Sequence, residues 1–135
     1  MKQNEAFQNP RVIVVQKLYA QEFNKGSELT FPKHRYKKFI KDVVNGTIER
    51  KEIIQELIDR DLKRNFNEKK TELIVKLMIM AAIYEFMFMH KTPVKVIISE
   101  YLKVSDSFIE TTQKNFLNAI LDKASKITRL KHASN

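Results

Sequence analysis

Two glycines and three prolines are all the backbone punctuation available to these 135 residues. A chain of many short strands needs a turn rich in Gly, Pro or Asn every few residues, and this one cannot supply them. Long helices joined by few connections are therefore expected, which makes the fold class all-α. Apolar residues are 43% of the chain, and a chain of this length can bury roughly two-thirds of its unfolded surface. No internal repeat, low-complexity tract or linker interrupts it, so residues 1–135 read as a single domain, a compact helical bundle.

Apolar spacing places the helices. From Pro10, which suits a first helical turn, Val12, Val15, Leu18, Tyr19 and Phe23 recur at helical intervals. Residues 24–32, NKGSELTFP, read as a loop. From Lys33 onward Tyr36, Phe39, Ile40 and Val43 share one face, and the pattern continues past Gly46 to about Glu49 if a neighbour packs closely on that glycine. A further helix carries Ile53, Ile54, Leu57 and Ile58 and ends at Asn65-Phe66-Asn67. Asn67 is a candidate cap for the next helix, which is apolar nearly all round from Leu77 to Ile83, as befits a central helix. Thr92-Pro93 opens a helix to Val104, and a last helix carries Phe108 or Ile109, then Phe116, Leu117, Ile120 and Leu121, before a basic tail, KITRLKHASN, expected to fray.

Charge narrows the function. Against 16 acidic residues stand 25 Lys and Arg, a formal +9 that favours polyanions. Lysine predominates, which suits phosphate attraction better than bidentate reading of bases. The alternative is that the charge serves solubility alone. The most apolar window, Leu77 to Met89, is about thirteen residues and contains Glu85, whereas a bilayer span needs about twenty. With no signal-peptide pattern and no cysteine, the expectation is a cytoplasmic protein that spans no membrane.

Catalytic chemistry finds little support. His34, His90 and His132 lie far apart with no metal-type partner at helical spacing, so neither a metal nor another cofactor is expected. Glu100 and Asp106 could pair as carboxylates, but nothing else supports acid–base work. Two glycines cannot build a phosphate-cradling loop. An enzyme is not expected.

Binding is better supported. Lys33 to Lys41 is a basic run without one acidic residue, equally readable as a solvated helix face. A second group, Lys2, Arg11 and Lys17, and a third, Lys114, Lys123, Lys126, Arg129 and Lys131, would form one stripe if the first and last helices were neighbours. Tyr19 and Phe116 sit among polar or basic residues, where a ring could stack on an unpaired base, although periodicity alone also allows either in the core. Asn118, two residues after Phe116, could hydrogen-bond a base edge or be an ordinary surface amide.

At these residues the chain resembles the NusB family of bacterial transcription antitermination factors. VVQKLYAQEF is similar to the family's first-helix signature. IYEFMFMHKTPVKVIISEYLKVSDSF followed by NFLNAILDK is similar to its C-terminal signature, with a weaker match at KDVVNG. The resemblance implies about seven helices in two small bundles. It also implies pairing with NusE, a ribosomal small-subunit protein, to bind the single-stranded boxA element of ribosomal RNA leader transcripts within a complex on RNA polymerase. By matching position, Arg11, Gln16, Tyr19 and Phe116 would lie at the RNA surface with Asn118 close by. From the basic groups of the first and last helices, Lys2, Lys114 and Lys123 are expected to add charge there. A homodimer is one arrangement found in the family.

Three departures stand out. The family's arginine run before the first helix is reduced here to a nearly solitary Arg11, so the isolated protein is expected to bind RNA weakly and to depend more on its partner. Met80 stands where an arginine is frequent, suggesting a lost polar contact, and Ala119 where a glycine is frequent, putting close backbone approach in doubt. The same fold occurs in some ribosomal-RNA cytosine methyltransferases, an enzyme reading disfavoured by the lack of a cysteine nucleophile. The rival from another class is a helical protein–protein scaffold with non-specific RNA affinity.

Overall fold

The computed structural model describes residues 8–67 and 69–133, with side chains as far as residue 129. Six α-helices follow one another: α1 Pro10–Phe23, α2 Lys37–Glu49, α3 Lys51–Leu57, α4 Leu73–Phe88, α5 Val94–Ser105 and α6 Thr111–Ala133. A π-helical turn, Ile58–Leu62, extends α3 without a break, and no strand occurs among the described residues. The fold is all-α, as the scarcity of turn residues predicts.

α4 holds the arrangement together. It is buried from Leu77 through Phe86, and α1, α2, α3, α5 and α6 all pack against it. Each fully buried large side chain, such as Phe86, Met78 or Ile83, stabilises the fold by about 1.5–3 kcal/mol relative to exposure. α1 and α2 run side by side in the same direction, with Arg11 over Phe39 at one end and Glu22 bonded to Lys51 at the other. The connection between them turns at Gly26, whose φ of 91° favours glycine, and Leu29 and Phe31 pin it to the core.

Local capping explains several boundaries. The Asn9 side chain accepts from the Arg11 N–H at 2.9 Å, and Pro10 follows in the first turn. His34 Nδ1 accepts from the Tyr36 N–H, so Nε2 carries the proton and donates to the Gln8 carbonyl. That turn delays α2 to Lys37. Lys33 and Arg35 precede the helix, and Tyr36, expected in the core, is exposed. Asn67 caps a separate turn, accepting from the Lys69 N–H, and α4 starts only at Leu73. Thr92 likewise is not the cap of α5; Pro93 occupies that position without a side-chain bond.

Gly46 does continue α2, for the reason its sequence context suggests. The Tyr84 ring lies where a Cβ on Gly46 would be, and its hydroxyl donates to Asp42 at 2.7 Å. Burial and Asp42 together push the Tyr84 hydroxyl up to about 12. The tail also differs from expectation. Instead of fraying at Lys126, α6 continues to Ala133, because the Arg129 guanidinium donates to the carbonyls of Phe86, Thr92, Met89 and His90. It thereby satisfies carbonyls left open at the end of α4.

Arg11 is the largest correction to the expected RNA surface. Its Nε donates to Glu85 Oε2 at 3.0 Å and its Nη2 to Oε1 at 2.6 Å, inside the protein. The Tyr101 hydroxyl donates to the same carboxylate, and the guanidinium lies over the Phe39 and Tyr101 rings. Burial alone would lower the Arg11 pKa, but the hydrogen bond and charge of Glu85 outweigh it and raise it. Such a group cannot reach a phosphate without stranding a buried carboxylate.

Two stability measurements check this packing. Glu85→Ala, which leaves Arg11 buried and unpaired, is expected to lose about 3–5 kcal/mol in urea unfolding. Arg11→Met/Glu85→Gln, which removes both charges and keeps an acceptor for Tyr101, loses less. Gly46→Ala costs about 1–3 kcal/mol by overpacking against Tyr84. In a Tyr84→Leu background the same change is neutral or stabilising, as helix propensity then favours Ala by about 1 kcal/mol.

Candidate nucleic-acid interface

Helical geometry sorts the expected binding residues of α6 onto different faces. Two residues apart is about 200° around a helix, so Phe116 and Asn118 point away from each other. Phe116 and Lys123 fall on one side with Thr112 and Gln113. Lys114 and Asn118, four residues apart, fall on another, toward solvent and α5.

The Phe116 side borders a groove of about 820 Å³. Its opposite wall is the π-helical turn with residues 63–67 and 69–71 of the connection leading into α4. Phe66 reaches inward from that connection and is buried, while Phe116 is half-buried at the groove. Their ring centroids are 6.2 Å apart with planes inclined by 24°. Lys123 Nζ donates to Asn65 Oδ1, tying α6 to the same connection. Lys63, Arg64, Lys69 and Lys70 line the groove, and Asp59 is its one acidic lining residue among those described.

The other expected residues sit elsewhere. Lys114 Nζ bonds Asp106 Oδ1 at 2.5 Å, a pair exposed enough that it contributes at most about 1 kcal/mol and leaves the lysine recruitable. Gln16 is exposed on α1, and Tyr19 is 41% exposed with its ring 5.0 Å from that of Phe23. Asn118 is exposed. Lys2 lies outside the described residues, as does the side chain of Lys131. α1 and α6 do not pack against each other among the described residues, so the two basic groups do not merge across a shared helix interface. Arg129, counted with the α6 cations, is occupied by backbone carbonyls; desolvation lowers its pKa. Met80 is buried in the core, and Ala119 is exposed, so no close backbone approach is needed there.

In the sequence, LKRNFNEKK reads as the end of one helix and the start of another. Its signal was nonetheless present, since four cations flank one aromatic residue within eight positions. Chemically, the groove combines cations for phosphates, amides from Asn65, Asn67 and Gln113, and a phenyl ring open to stacking.

Among the described residues, no helix is long and apolar enough to cross a membrane. Comparison with known proteins matches the NusB family over residues 8–126. The transcription antitermination protein NusB of Bradyrhizobium diazoefficiens is 31% identical over 84 residues, covering 62% of this chain and 51% of that protein. That of Nitrobacter hamburgensis is 32% identical over 88 residues, covering 65% and 55%. The chain thus aligns with about half the length of these relatives. The solved structure of T. maritima NusB shares the fold, with a TM-score of 0.73, 22% identity and 93% of each chain covered. This chain belongs to the NusB family.

Proposed function

We propose that this protein is a cytoplasmic transcription antitermination factor. Paired with NusE, it would hold the single-stranded boxA element of ribosomal RNA leader transcripts within a complex on RNA polymerase. The relatives named above are transcription antitermination proteins, and the family match includes Tyr19 and Phe116. The observation that carries the reading is the half-open Phe116 ring beside a cationic groove. A ring serving only the core would gain by being sealed, whereas one facing a groove can stack an unpaired base, at roughly 1–3 kcal/mol per base.

Arg11 is withdrawn into the interior, which strengthens the expectation of weak RNA binding by the isolated protein. Tyr19, exposed on α1, is the second ring available for stacking.

Titration of labelled boxA RNA and a scrambled control, with and without NusE, tests the proposal. The expected result is preference for boxA that tightens with NusE, with Tyr19→Ala and Phe116→Ala each weakening binding roughly tenfold. Equal retention of both RNAs, with NusE still bound, would favour the helical scaffold instead. Tight and specific binding by the isolated protein would contradict the partner dependence.

A further inference from the structure

The basic run leading into α2 has no part in the RNA contact described above. Lys33, Arg35, Lys37, Lys38 and Lys41 are all exposed, and none has an ion pair or side-chain hydrogen bond among the described residues. Cations elsewhere are engaged: Arg11 by Glu85, Arg129 by carbonyls at the end of α4, Lys126 by Asp122 and Lys114 by Asp106. Lys37 and Lys38 also stand at the positive end of the α2 dipole, with no acidic residue in that turn to offset them. Charge that serves solubility alone is better interspersed with acids, whereas like charges crowded along one short segment repel one another until an anion arrives.

A ring stands among these cations. Periodicity places Tyr36 in the core with Phe39, Ile40 and Val43, yet it is 51% exposed. The cause is the turn at His34, whose Nδ1 accepts from the Tyr36 N–H and whose Nε2 donates to the Gln8 carbonyl beside α1. These bonds hold the turn in place with the Tyr36 ring outward and the Arg35 guanidinium 5.7 Å from its centroid. Next along the helix, Lys37, Lys38 and Lys41 border an open groove of about 620 Å³. Its acids are Asp42, which already accepts from Tyr84, and Glu49, at the far end of α2.

That combination selects among anions. An acidic peptide or a lipid headgroup would satisfy the cations and leave the ring unused, and a double helix keeps its bases stacked away from it. An unpaired strand offers phosphates and base faces together. Among the described residues α2 packs on α1, α3 and α4 but not on α6, so this face is separate from the Phe116 groove.

We propose that the face formed by residues 33–41 is a second single-stranded RNA site. One base stacks on Tyr36, and Lys33, Arg35, Lys37, Lys38 and Lys41 hold the neighbouring phosphates. It takes nucleotides that flank boxA whatever their sequence, because contacts to phosphates position a strand without reading its bases. The site rests on the RNA reading of the preceding section and adds to it a surface on the other side of α4.

The test compares boxA RNA with the same RNA carrying unpaired uridine tracts on both sides, in the presence of NusE. The proteins are the wild type, Tyr36→Ala and the fourfold variant Lys33→Gln/Arg35→Gln/Lys37→Gln/Lys38→Gln. Flanked RNA should bind the wild type roughly a hundredfold tighter than boxA alone, with a steeper salt dependence. Each single-strand phosphate contact contributes about 0.7 to the slope of log K against log salt, so the fourfold variant should lose about 2–3 from the slope for flanked RNA. Its binding of boxA alone should be unchanged. Tyr36→Ala should weaken flanked RNA roughly tenfold and leave the slope as it was. Flanked RNA, but not boxA alone, should also protect Lys37 and Lys38 of the wild-type protein from amine acetylation, a readout independent of how the variants fold. Equal affinity and slope for the two RNAs, with no protection, would overturn this site and leave the antitermination reading standing. Failure of the wild-type protein to bind either RNA would overturn both. Release of the uridine tracts by polyglutamate or anionic vesicles as readily as by unlabelled polyuridine, read by loss of protection, would overturn the assignment to RNA.

Discussion

The arrangement of helices around α4 depends on one charged pair sealed inside it. Glu85 is fully buried and receives two hydrogen bonds from Arg11 of α1 and one from Tyr101 of α5. Removing two charges from water costs several kcal/mol per ion, offset only when geometry and hydrogen bonding are complete. Here they are, with both carboxylate oxygens engaged and the guanidinium lying over two rings. Burial and the neighbouring carboxylate hold the Tyr101 hydroxyl well above its ordinary pKa, so it stays a donor. Because sliding or rotating α1, α4 or α5 would strand a buried charge, the pair sets their register as apolar contacts alone would not.

That setting decides what the surface can do. Arg11 belongs to the first helix's basic group in sequence, yet its position in the fold gives it to the core. Arg129 follows the same logic at the other end of α4, where open carbonyls attract a planar fork of donors. Cations at such sites are structural, and the net charge of the chain overstates what is free to meet a polyanion. The lysines and arginine of the connection before α4 make no ion pair or side-chain hydrogen bond among the described residues, so they remain available.

Both rings proposed to stack on RNA are placed by packing. Phe116 has its back to Phe66 and its front to the groove, whereas Tyr19 lies on α1 against Phe23. Neighbouring residues in the sequence part company on the helix, as Phe116 and Asn118 do. Residues distant in sequence meet, as Asn65 and Lys123 do, 58 positions apart. A cluster seen along a helical sequence is thus not a cluster on a surface unless its spacing is three, four or seven.

The all-α class, the central position of α4 and the continuity of α2 through Gly46 were legible in the sequence. Each rests on local physics: too few turn residues for a sheet, an apolar surface on every side of one helix, and a glycine within an unbroken periodic run. Helix starts were less legible, since His34 and Asn67 cap turns that delay α2 and α4, and turn hydrogen bonds leave no periodic trace. Which cations are free and which are spent could be decided only by tertiary structure. A side chain's charge is written in its residue type, but its partner is whatever the fold brings within about 3 Å, and for Arg11 that partner is 74 residues away.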